Sequence, residues 1–200
     1  MRLPLALATA LSLTLGAAAL ASTLPPPPNF GVVVPDGIYR GGQPSIADLK
    51  YLQELGVRTI VKLNNHNLDK ERGEAERLGM SVVSIPLEPS TIGNANSCAG
   101  VAEAVAVISD RSRWPVFIHC SRGRDRAGFV VGAYRELVER QQWPAIDEEL
   151  RRYGHASAMR RAYPQIIREL EKEIPTCGGE IARALSRQSP PPANIGAPKN

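Results

Sequence analysis

The sequence predicts an α/β domain built as a three-layer sandwich, with a mostly parallel central sheet flanked by helices. Segments whose apolar residues recur at helical spacing alternate with short apolar runs, which is the pattern of strand–helix units. The run at 115–120 is almost wholly apolar, as expected for a strand buried on both faces of a parallel sheet. A hydrophobic share of 43% and a charged share of 22% exclude a wholly disordered chain.

The first predicted helix covers residues 45–56. Ser45 is a candidate N-cap, Asp48 lies in the first turn, and Gly56 ends the helical pattern. The next predicted elements are a strand at 57–63, a charged helix at 69–79 and a strand at 80–87. They are followed by an apolar helix at 97–110, capped by Ser97, and by the apolar strand at 115–120. Three further helices are predicted at 126–142, 144–154 and 164–174, the last two with proline in the first turn.

The two ends of the chain are predicted to lie outside the folded domain. Residues 1–21 combine Arg2, an apolar stretch, and small residues at Ala19 and Ala21, which together indicate a removed signal peptide. A retained membrane anchor is the alternative, but the stretch contains polar residues and lacks a flanking charge on its far side. The remaining chain is predicted to consist of a proline-rich lead-in at 22–28, one domain at 29–181 and a disordered tail at 182–200.

A signal peptide implies an exported protein, periplasmic or secreted, without stable membrane insertion once the signal is removed. The formal net charge of +4 is too small to indicate a nucleic-acid partner. Arginine is concentrated at 111–126 and 151–161, and such locally basic ground suits a small anionic substrate.

The segment "HCSRGRDRAG", residues 119–128, carries the strongest chemical signal. Cys120 ends a predicted strand, where α/β folds bind ligands, and the helix near Arg126 directs its amino terminus back at it. Arg126 offers a fork that matches two phosphate oxygens, and the positive surroundings favour a reactive thiolate. The candidate substrate-binding residues are those between them, Ser121, Arg122, Gly123 and Arg124.

This loop resembles the signature His-Cys-x-x-Gly-x-x-Arg-Ser/Thr of the cysteine-dependent protein tyrosine and dual-specificity phosphatases. The resemblance covers roughly residues 36–170 and is to compact bacterial members of the dual-specificity group, whose fold it implies. It implies that Cys120 attacks phosphorus to form a phosphocysteine, that Arg126 and loop amides hold the phosphoryl oxygens, and that His119 supports the cysteine from behind. Water then hydrolyses the intermediate, with no metal or other cofactor. The expected partner is a phosphorylated protein or a small anionic phosphate ester.

Two departures from the family pattern bear on the mechanism. Ala127 stands where the family has Ser or Thr, whose hydroxyl assists release of the thiolate, so slower breakdown of the phosphocysteine is predicted. The upstream segment that usually supplies a general-acid aspartate has only Glu88. Asp125, at a position that holds aspartate in myotubularin-like lipid phosphatases, is the candidate acid, and a structural ion pair with Arg122 or Arg124 is its alternative role.

Other interpretations stay open on the sequence alone. An inositol phosphate or phospholipid head-group phosphatase is the alternative function, and a catalytically weak phosphate-binding module is a further one. Cys98 is either buried as a thiol or joined to Cys177, with a Cys98–Cys120 bond ranked below both. Arg40 is expected to form a structural pair, with substrate contact as the alternative, and His155 is expected to have an ordinary polar role.

Overall fold

The computed structural model describes residues 24–88, 98–155 and 174–188. The predicted signal peptide, the Ser97 cap and nearly all of the helix predicted at 164–174 lie outside the described residues. Within the described ranges, no helix combines the length and the apolar character that a membrane crossing requires.

The described part of the fold is centred on a sheet of five strands: β1 (Gly31–Val34), β2 (Ile38–Gly41), β3 (Thr59–Lys62), β4 (Ser81–Ser84) and β5 (Val116–His119). Their order in the sheet is β1-β2-β5-β3-β4. Only β1 is antiparallel to its neighbour, so the prediction of a mostly parallel sheet is confirmed. The hairpin of β1 and β2 is not predicted from the sequence.

Six α-helices are described: α1 (Ile46–Glu54), α2 (Leu68–Arg77), α3 (Cys98–Ser109), α4 (Asp125–Leu137), α5 (Trp143–Arg152) and α6 (Gly178–Ser186). The predicted cap of α1 is present as a capping box, in which the Ser45 hydroxyl and the Asp48 carboxylate each accept a backbone N–H. Helix α4 ends five residues before the predicted 142, and Arg140 beyond it has a left-handed φ of 61° that no α-helix accommodates.

Helices cover both faces of the sheet, which confirms the three-layer prediction. Phe117 of β5 packs with the α1 residues Leu49 and Leu52 in one apolar cluster. Its neighbour Ile118 lies in a second cluster, which takes in residues of α3, α4 and α6. Because successive side chains of a strand point to opposite faces, a strand between two helical layers must be apolar throughout. The central position of β5 therefore fixes the edge of the sheet at which residue 120 emerges.

The C-terminal boundary predicted at residue 181 is wrong. Helix α6 continues to Ser186, and Ile181 within it is buried. A disulfide joins Cys177, just before α6, to Cys98 at the start of α3, so the buried-thiol alternative for Cys98 is excluded. The sequence pattern did not separate this short amphipathic helix from the polar, proline-rich tail that follows it.

Candidate active site

The loop that follows β5 carries the predicted nucleophile. Cys120 comes directly after the last residue of β5, is 3% exposed and is a free thiol. Helix α4 begins at Asp125, so the unpaired N–H groups of its first turn lie at the end of the loop that starts at Cys120. The structure thus places the thiol between the carboxyl end of a central parallel strand and the amino end of a helix, where α/β folds bind anions.

Arg126 reaches back across this loop. Its Nη2 donates to the Ser121 hydroxyl at 3.2 Å, although five residues separate the two in sequence. Its Nη1 donates to the carbonyls of Leu63 and Leu87, at 3.2 Å and 3.3 Å, just beyond the ends of β3 and β4. The guanidinium is therefore fixed at the same sheet edge as the cysteine, beside the residue that follows the thiol.

The turn of the loop depends on Gly123. Its φ of 69° is left-handed, and a Cβ there would lie 2.4 Å from the carbonyl carbon of Gly41. The Gly123 carbonyl accepts from Arg40 Nη2 at 2.9 Å and from Asn29 Nδ2 at 3.1 Å. Asn29, which precedes β1, and Arg40 of β2 therefore support the middle of the loop from one side.

A buried ion-pair network supports His119 from behind. The His119 Nε2 lies 2.8 Å from Glu71 Oε1, and Lys62 Nζ lies 2.7 Å from Glu71 Oε2. Burial opposes ionisation of Glu71 and would raise its pKa. Hydrogen bonds from His119, Lys62 and Gln43, together with the charge of His119, outweigh burial and lower the pKa of Glu71 to about 2. An ionised carboxylate only accepts, so His119 donates through Nε2. Its Nδ1 lies 3.3 Å from the Cys120 carbonyl oxygen.

This network continues to the front of the loop. Gln43 Oε1 accepts from Lys62 Nζ at 2.8 Å and from Asn64 Nδ2 at 3.4 Å. Asn64 Nδ2 also lies 3.4 Å from Ser121 Oγ, which Arg126 contacts. One chain of polar contacts thus runs from the residue before the thiol to the arginine of the signature.

The remaining predicted site residues lie at the mouth of the loop. Arg122 and Arg124 are exposed, and Glu88 is exposed at the edge of a described range. The Asp125 side chain is half exposed, and its Oδ1 lies 3.8 Å from Nδ1 of the buried His155. His155 Nδ1 also lies 3.3 Å from the Arg124 carbonyl oxygen, so this histidine adjoins the site.

Several residues that shape the site are not singled out by the sequence pattern: Asn29, Lys62, Asn64, Glu71 and His155. Lys62 carries one usable signal, since a lysine within an apolar strand needs a buried partner. In the parallel register Lys62 stands opposite His119, which explains why both reach the same carboxylate. Glu71 carries none, because it is one of several charges on a helix whose sequence is typical of a solvent-facing helix.

Known proteins share this arrangement of strand, loop and helix. A model of the tyrosine phosphatase family matches residues 24–176. Inositol diphosphatase DSP2 of Oryza sativa subsp. japonica is 34% identical over 164 residues, which cover 75% of this chain and 72% of that protein.

Solved structures agree on the fold. The core catalytic domain of the PP-IP phosphatase SIW14 from S. cerevisiae superposes with a TM-score of 0.58 at 25% identity, covering 66% of this chain and 78% of that one. TpbA from P. aeruginosa superposes with a TM-score of 0.62 at 22% identity, covering 86% and 99%. A further structure of TpbA is a complex with pTyr.

The family match spans well over half of the chain and includes the whole Cys120–Arg126 loop. The sheet order, the loop and the helix behind it agree with that assignment. This chain belongs to the tyrosine phosphatase family, and it is a cysteine-dependent phosphatase, a hydrolase of phosphate esters.

Proposed function

We propose that the protein is an exported phosphomonoesterase that acts through a phosphocysteine on Cys120. The observation that carries this proposal is the 3.2 Å contact between Arg126 Nη2 and the hydroxyl of Ser121, the residue next to the thiol. A guanidinium held there can bind two phosphoryl oxygens while the cysteine attacks the phosphorus. The exposed mouth of the loop leaves room for the rest of the ester.

The chemical steps balance without a further reactant except water. The Cys120 sulfur attacks phosphorus, the bond from phosphorus to the ester oxygen breaks, and that oxygen takes a proton from an acid for which Asp125 is the candidate. Water then attacks the phosphocysteine and gives a proton back to that acid's conjugate base, the S–P bond breaks, inorganic phosphate is released and the thiolate is regenerated. Arg126 and the amides at the start of α4 stabilise the charge that develops on the phosphoryl oxygens.

Export is supported by the signal-like N-terminus and by the Cys98–Cys177 disulfide. Disulfides of this kind persist mainly in oxidising compartments such as the periplasm or the extracellular space. Fractionation of the producing cells, with the mature N-terminus read by mass spectrometry, tests this. Cleavage before Ser22 supports export, and an intact N-terminus in the cytosolic fraction contradicts it.

Hydrolysis of an activated aryl phosphate in the presence of a metal chelator tests the chemistry. We expect turnover in the chelated sample, its loss in Cys120→Ser, and a large loss in Arg126→Lys, because lysine lacks the bidentate fork. Arg111→Lys is the matched control, since Arg111 is exposed at the opposite end of β5 and should leave turnover unchanged. Turnover that survives in Cys120→Ser would refute the phosphocysteine mechanism.

Inositol phosphates are the second candidate substrates. Arg122 and Arg124 flank the tip of the loop and are exposed, so they can contact phosphates beyond the one that is cleaved. The names of the rice and yeast relatives point to the same class. A panel of phosphotyrosine peptides and inositol polyphosphates separates the candidates. Replacing both arginines by alanine should lower kcat/KM for inositol polyphosphates much more than for an aryl phosphate if the second candidate is correct.

A further inference from the structure

Arg40 is a fully buried arginine that lies beneath the Cys120 loop. It belongs to β2, where it stands opposite Ile118 of β5, two residues before the thiol. Its exposure is 0%, so the substrate contact considered on the sequence is excluded. Its Nη2 donates to the Gly123 carbonyl at 2.9 Å, and its guanidinium carbon lies 4.1 Å from the centroid of the Tyr153 ring.

Among the residues that the structure describes, no carboxylate pairs directly with the Arg40 guanidinium. Its Nε and Nη1 are buried and have no hydrogen-bond partner within the part of the chain that the structure describes. Glu149 is nearby, but its carboxylate accepts from Arg135 Nε at 2.8 Å. Burial of a cation without a compensating partner is destabilising, so the buried position of Arg40 indicates a role for its charge or its donors.

We infer that Arg40 is a positioning residue of the catalytic loop, which holds the Gly123 carbonyl from below and so aims a loop amide at the phosphate. The C=O and N–H groups of one trans peptide point in opposite directions. Since the Gly123 carbonyl points at Arg40, the N–H of Arg124 points away from it, toward the opposite side of the loop. The inference rests on the proposed phosphocysteine mechanism, in which that side receives the phosphoryl oxygens.

The electrostatic surroundings agree with this role. Burial lowers the pKa of Arg40 to about 10, while Glu149, Tyr153 and Cys120 favour its charged form and Arg135 opposes it. Arg40 therefore stays charged at neutral pH.

Protection of Cys120 from iodoacetamide by inorganic phosphate, measured at one pH, tests the inference independently of phosphatase activity. Cys98 and Cys177 do not react because they are joined in a disulfide. Arg40→Met should raise the phosphate concentration that half-protects Cys120 roughly tenfold, because the Arg124 N–H is no longer held toward the phosphate.

Arg40→Lys is the conservative variant. It keeps a positive charge and an N–H donor, and because only Nη2 of Arg40 contacts Gly123, it should recover most of the protection by phosphate. Arg135→Met is the matched control, since it removes a neighbouring partly buried arginine that contacts Val33, Glu139 and Glu149 and not the loop.

Three results would overturn the inference. One is a folded Arg40→Met protein with unchanged protection by phosphate, and another is an equal loss of protection in Arg135→Met. If Arg40→Met fails to fold, the shorter and uncharged Arg40→Gln replaces it, and unchanged protection in that variant is the third. A loss of protection in Arg40→Met together with no aryl phosphate turnover in the wild type would keep the positioning role and reject the proposed function.

Discussion

Glu71 Oε1 and His119 Nε2 lie 2.8 Å apart in the interior, although 48 residues separate the two in sequence. The contact joins α2 to the residue that precedes the predicted nucleophile. It lets a buried carboxylate fix the orientation of the histidine, and with it the start of the Cys120–Arg126 loop.

The first prediction concerns the pH dependence of stability. The folded-state pKa of Glu71, about 2, lies below the ordinary 4.5, so its stabilisation is full above about pH 4.5 and is lost as the pH falls toward 2. The loss should be on the order of 3 kcal/mol in the free energy of unfolding. Denaturant titrations from pH 7 to pH 2 measure it. Glu71→Gln should remove this part of the slope, whereas Glu76→Gln, exposed on the same helix, should retain it.

The second prediction compares two glycines with left-handed backbones. Gly79 has a φ of 79°, and no atom lies within 4 Å of the point where a Cβ would stand, so Gly79→Ala should cost about 1 kcal/mol and leave turnover intact. Gly123→Ala adds overlap with the Gly41 backbone and must displace the loop, so kcat/KM should fall by roughly 100-fold. Equal effects of the two substitutions on turnover would show that the close packing against β2 is unimportant.

The third prediction concerns the general acid. With a substrate whose leaving group is poor, Asp125→Asn should lose about 100-fold in kcat, and it should lose little with an activated aryl phosphate. The pH–rate profile of the variant should lack the limb that reports the acid. Glu88→Gln is the comparison, and it should behave like the wild type with both substrates. If Glu88→Gln shows the selective loss instead, Asp125 has the structural role.

The fourth prediction concerns Ala127, which is fully buried in the first turn of α4. A serine there would supply the hydroxyl that assists departure of the thiolate from phosphorus. Ala127→Ser should therefore accelerate hydrolysis of the phosphocysteine and reduce its accumulation in rapid-quench experiments. Unchanged turnover in Ala127→Ser, together with no trapped intermediate in the wild type, would contradict slow breakdown.

The fifth prediction concerns the Cys98–Cys177 disulfide, which closes a segment with a sequence separation of 79. Replacing both cysteines by serine should lower the free energy of unfolding by about 2–4 kcal/mol, because the unfolded chain gains freedom. Aryl phosphatase activity should persist below the new unfolding midpoint, since Cys120 takes no part in the bond. Identical unfolding curves with and without reductant would contradict a stabilising disulfide.

The sequence by itself determined the chemistry and the layers of this protein. The spacing of Cys120 and Arg126 is local, and a loop between a strand and a helix can bring two residues together without information from elsewhere. The apolar run of β5 likewise predicts its central place, since such a strand is stable only when both faces are covered.

Only the tertiary structure decided what lies beneath the loop. Glu71, Lys62 and Arg40 come from separate elements. Their partners depend on strand order and register, which cannot be read from a single sequence. Their charges are of the kind that ordinary surface residues carry, yet each is buried against the nucleophile's surroundings. Long-range pairing of polar groups depends on which strands become neighbours, and that choice is made by the packing of the whole core.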